Sequence, residues 1–171
     1  MAGFLRELDK NAERWLLLVF YVMLVATMAI EVVRREVFAY SSIWGEEMVR
    51  YSFIYLAWIG AAAAVKDRAH IRIDVLFGFL GPRLKTILYI FGDLVMLVIA
   101  LIAAYWALES VATSWRFGSV SHGLRVSMVF FLIAVPVGFG LMTLRILQSL
   151  RRDIHNLRHG NPAYDGERLF D

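Results

Sequence analysis

Long apolar runs alternate with short charged blocks along this chain. None of them shows the period-two alternation of a half-buried or barrel-forming strand. Four runs are long enough to cross a bilayer: 15–33, 44–65, 87–108 and 126–147. A helical span needs about 20 mostly apolar residues to cross about 30 Å of hydrocarbon, at about 1.5 Å per residue. The second run reaches that length only if its helix begins near Trp44, because its uncharged part covers just 51–65. The pattern predicts an all-α integral membrane protein of four transmembrane helices joined by short interfacial helices. It divides the chain into a lead (1–14), a four-helix membrane domain (15–147) and a tail (148–171).

Composition agrees. Hydrophobic residues make up 60% of the 171 positions and the mean hydropathy is +0.61, above the roughly 45–50% apolar content of soluble domains. The first run is too long for a signal-peptide core of about 7–15 residues and lacks a small-residue cleavage site before Arg34-Arg35. It is expected to be a retained helix. The lead, the second loop and the tail carry 13 Lys and Arg against 5 on the opposite side, so both termini are expected in the cytoplasm. The high isoelectric point, near 9.4, then reflects flanks beside anionic lipid and requires no nucleic acid. The chain has no cysteine, which excludes disulfides, iron–sulfur clusters and thiolate metal sites.

Between the spans the sequence predicts local order. Residues 1–14 suit an amphipathic helix lying in the interface, or a frayed start. Asp74 is placed to cap a short helix over 75–80, which Gly81-Pro82 would end before starting the third span. Pro136 removes a backbone donor from the fourth span and predicts a bend there. Trp15, Trp44, Trp106 and Trp115, with Tyr40, Tyr51 and Tyr105, gather near span ends, as in an aromatic belt at head-group depth. Small residues at 57/61 and 60/64 of the second span allow a close helix approach.

Few residues are candidates for chemistry. Glu46 and Glu47 fall in the first turn of the second helix, where the helix dipole favours carboxylates. Arg50 follows them at four and three residues, a same-face spacing. That cluster is either a self-paired helix start or a docking point for another subunit. Glu31 has Arg34 and Arg35 at the same spacings and should pair locally. Asp93 is the lone charge of the third span and needs a partner, by a structural hydrogen bond or through another chain. It has no second acid or histidine nearby to make an ion path. His70, His122, His155 and His159 all lie outside the spans, which argues against axial haem ligation. No catalytic, metal or substrate-binding set emerges.

The order Trp44-x-Glu46-Glu47-x-x-Arg50-Tyr51, Trp58-Ile59-Gly60-Ala61-Ala62 and His70-Ile71-x-Ile73-Asp74 resembles the small permease subunit of tripartite ATP-independent periplasmic (TRAP) transporters, the DctQ-like family. The resemblance covers nearly the whole chain. It implies a scaffold in the bacterial inner membrane, partnered by a large permease subunit of about a dozen spans. That partner would carry the sodium and substrate sites and import an organic acid delivered by a periplasmic binding protein. Trp44, Glu46, Glu47, Arg50 and Tyr51 would then form a docking or structural cluster, with His70 and Asp74 ordering the cytoplasmic loop. The competing expectation is a membrane anchor for a respiratory or other enzyme complex.

Overall fold

The computed structural model describes residues 2–40, 42–66 and 81–159, with side chains from residue 14 onward apart from those at 66 and 82. Five helices account for nearly all of them: α1 (Ala2–Phe38), α2 (Ile43–Lys66), α3 (Pro82–Arg116), α4 (Val129–Leu132) and α5 (Ala134–His159). Four stretches are long and apolar enough to cross a membrane: Arg14–Phe38, Ile43–Val65, Arg83–Arg116 and Val129–His159. The expected four-span helical architecture is therefore present. The expected short helix at 75–80, with His70 and Asp74, lies outside the described residues.

The helices outrun their apolar cores. At about 1.5 Å per residue, the 37 residues of α1 extend about 55 Å and the 35 of α3 about 52 Å. Both exceed the roughly 30 Å hydrocarbon layer. The N-terminal lead is helical and continues into the first span without a break.

Helix ends follow backbone chemistry. Gly118 adopts φ 58° just beyond α3. Gly118 N–H donates to Trp115 O and Ser119 N–H to Ser114 O, both at 3.2 Å. This is a Schellman cap, which needs a left-handed residue at that position and suits glycine. Ile133, between α4 and α5, keeps helical angles (φ −65°, ψ −20°), and Val137 N–H donates to its carbonyl at 3.1 Å, so the helical path runs on past Pro136, which has no N–H to give.

Packing runs from α1 to α2, from α2 to α5 and from α5 to α3. The spans therefore form an open row with α1 and α3 at its edges, not a closed bundle. The core gathers Ala62 and Val65 of α2, Ala100 of α3, and Met142 and Ile146 of α5. The buried stripe of α5 repeats every three or four residues through Ala134, Gly138, Met142, Ile146, Ser149 and Asp153, as one helical face must. At Gly138 an added Cβ would lie 2.6 Å from Trp58 Cβ, so α2 and α5 approach closely only because this residue has no side chain. Trp58 meets Phe139 beside that point, centroids 4.6 Å apart. Toward α1, Gly60 receives Leu17, and Phe20 stacks on Tyr55 at 4.8 Å. None of α1's most apolar window is buried, against 39% for the fourth span. Its Leu16, Val19, Val22 and Val25 side chains are exposed, an arrangement suited to lipid or a partner chain.

Candidate functional site at the Glu31–Glu47 end of the row

One end of the row holds a concentration of buried polar contacts. Glu47 sits in the second turn of α2 and is only 8% exposed. Its two carboxylate oxygens accept from the backbone N–H groups of Gly123 and Leu124, each at 2.9 Å. Those amides form the tip of the connection 117–128 between α3 and α4. The connection is folded on itself by Ser121 N–H to Val126 O and Met128 N–H to Ser119 O, both 2.9 Å. It carries a left-handed residue at Arg125. A carboxylate facing two amides forms charge-assisted bonds, which are stronger than neutral ones.

Gly123 is required by the same contact. A Cβ there would lie 2.9 Å from the Ile43 carbonyl carbon and from Trp44 N, so the tip rests directly on the first turn of α2. One turn further along, Tyr51 is buried, stacks on Phe131 and directs its hydroxyl to Met128 Sδ at 3.8 Å. Tyr55 continues the stripe, its hydroxyl donating to Phe130 O. Positions 47, 51 and 55 therefore form a face of α2 that clasps the α3–α4 connection and α4 itself.

The predicted cluster is split by this geometry. Glu47 and Tyr51 point inward, whereas Trp44, Glu46 and Arg50 are exposed. Among the described residues no ion pair joins Arg50 to Glu46 or Glu47, whereas Glu31 pairs with Arg34 at 3.2 Å. Glu31 also accepts from Ser42 N–H at 3.3 Å and from the Ser42 hydroxyl. Arg34 reaches Ser42 Oγ at 3.4 Å. Its guanidinium lies 4.9 Å from the Tyr40 ring centre and 5.4 Å from that of Trp44, within cation–π range. Gly45 leaves room for Glu31, since a Cβ there would collide with that side chain. The α1–α2 corner is thus locked by one carboxylate and the α3–α4 connection by another.

Asp93 belongs elsewhere. It is half-buried on α3 and engaged in a polar contact, 23 residues before Arg116, or about 35 Å along the axis from this end. Among the described residues no three His, Asp or Glu side chains gather to hold a metal. The arrangement can bind helices and loops to one another, and it offers no reacting pair. Sequence reasoning overlooked Ser42, Gly123 and Leu124, because backbone donors leave little signal beyond a glycine in a polar loop.

Residues 6–156 match the family described as tripartite ATP-independent periplasmic transporters, DctQ component. The chain belongs to that family. That family is the DctQ component of TRAP transporters, and the chain's relatives in it include small permease proteins, which are transport proteins and not enzymes. The enzyme-anchor expectation therefore falls. It is similar to the isethionate TRAP transporter permease protein DctMQ of Oleidesulfovibrio alaskensis, 28% identical over 86% of this chain and 24% of that protein. It is also similar to the C4-dicarboxylate small permease protein DctQ of Rhodobacter capsulatus, 31% identical over 62% of this chain and 47% of that one. The sialic acid small permease protein SiaQ of Vibrio cholerae is 23% identical over 85% of this chain and 83% of its own length. The chain thus spans about a quarter of the length of DctMQ and most of the length of SiaQ.

Proposed function

We propose that this small subunit is a static scaffold in the bacterial inner membrane, with both termini in the cytoplasm. Its partner is a large permease subunit that carries the substrate and sodium sites, and a periplasmic binding protein supplies an organic acid. The carrying observation is the open row of spans, which leaves no residue of α1's apolar window fully buried within the chain. A second support is the Glu47 clasp, which ties the α3–α4 connection to α2 and stiffens one end of the row. The 13-to-5 bias of basic residues supports the orientation. The similar proteins are named for isethionate, sialic acid and C4-dicarboxylates. These differ in size and in acidic groups, which fits a substrate choice made in another chain.

Co-expression with a large TRAP permease subunit tests the reading. The scaffold account expects a stoichiometric complex in mild detergent and cysteine crosslinks from the exposed face of α1 to the large subunit. A small subunit that purifies only as a homo-oligomer, with α1 crosslinked to itself, would overturn it.

A further inference from the structure

We propose that the groove between α1 and α2 at the Glu31 end is a binding site for a phospholipid whose head group carries both a phosphate and an ammonium, the chemistry of phosphatidylethanolamine. The groove encloses about 700 Å³, within the roughly 300–1,000 Å³ of small-molecule sites. Leu24 and Val32 of α1 and Phe53 of α2 supply apolar walls, and Arg35, Glu46 and Arg50 line it as well.

The free charges decide the occupant. Glu31 also lines the groove, but Arg34 and Ser42 already hold it. Arg35, Glu46 and Arg50 are exposed and form no ion pair among the described residues. Two guanidiniums beside an apolar wall suit a phosphate, which arginine binds in a fork geometry. One carboxylate beside them suits an ammonium that can donate hydrogen bonds. A head group that is only anionic would leave Glu46 opposed by like charge, and a choline head group has no N–H to give it. The depth fits too, since the Tyr40 and Trp44 rings beside Arg34 are exposed at this level, as aromatic residues are where a membrane meets water. The apolar walls continue from there along the spans and match an acyl chain.

The site lies within one chain and does not depend on the scaffold reading, so its test needs no transport. The purified full chain, stripped of lipid in detergent, is titrated with equal amounts of phosphatidylethanolamine, phosphatidylglycerol and phosphatidylcholine and read by native mass spectrometry. Wild-type chain is expected to retain phosphatidylethanolamine several-fold over the other two. The Arg35→Ala/Arg50→Ala double variant should lower its occupancy about tenfold. Glu46→Gln should keep phospholipid binding and erase the preference for the primary amine. Equal retention of all three lipids by wild-type chain, which needs no variant to fold, overturns the proposal, as does undiminished retention by the double variant. So does a complex in which the large subunit shields Arg35 and Arg50 from guanidine-modifying reagent and no lipid is retained, because the groove is then a protein interface.

Discussion

Replacing Glu47 by alanine removes both acceptors of the Gly123 and Leu124 amides. Hydrogen bonds to a charged partner contribute about 1.5–3 kcal/mol each, so the two set an upper range of about 3–6 kcal/mol. The connection can open and let water reach its amides, which limits the loss to the free energy of docking. We therefore expect about 2–4 kcal/mol, or roughly a 30- to 1,000-fold larger open population. Hydrogen–deuterium exchange of the 117–128 segment reads that population directly. In Glu47→Ala the Gly123 and Leu124 amides should exchange faster by that factor, while the middle of α3 keeps its protection. Glu47→Gln retains one acceptor oxygen but turns an N–H toward the second amide, so it should fall between. Unchanged exchange at 117–128 in Glu47→Ala would refute the clasp, and uniform acceleration across all helices would show that the residue acts on global stability instead.

Four further substitutions test the backbone geometry. Gly138→Ala should lower thermal stability by about 1–3 kcal/mol through overpacking against Trp58, whereas Gly92→Ala, with nothing within 4 Å, should gain about 0.5–1 kcal/mol from helix propensity; tryptophan fluorescence melting distinguishes them. Gly118→Ala puts a Cβ on a residue at φ 58° and should cost about 1–2 kcal/mol, visible as faster exchange in the last turn of α3. Ala39 already carries that strain at φ 50°, so Ala39→Gly should raise the melting temperature of the chain.

The spans were legible in the sequence because lipid imposes one crude rule, a run of apolar residues about 20 long, and the chain obeys it four times. The Glu31–Arg34 pair was legible for a similar reason, since a three-residue spacing on a helix fixes proximity. The partners of Glu47 were not. They lie 76 and 77 residues away and are backbone amides, so spacing pointed to Arg50, which stands exposed. The order of the helices was equally hidden. Hydropathy marks which segments enter the bilayer, but the close approach of α2 and α5 depends on a single glycine meeting a single tryptophan.

The scaffold account is tested most directly by uptake into proteoliposomes. Vesicles holding the large permease alone, this chain alone, or both would be supplied with the periplasmic binding protein, an inward sodium gradient and a panel of labelled organic acids. The account predicts uptake only where both membrane subunits are present, and none from this chain alone. Sodium-dependent uptake by vesicles containing this chain and no large permease would contradict it.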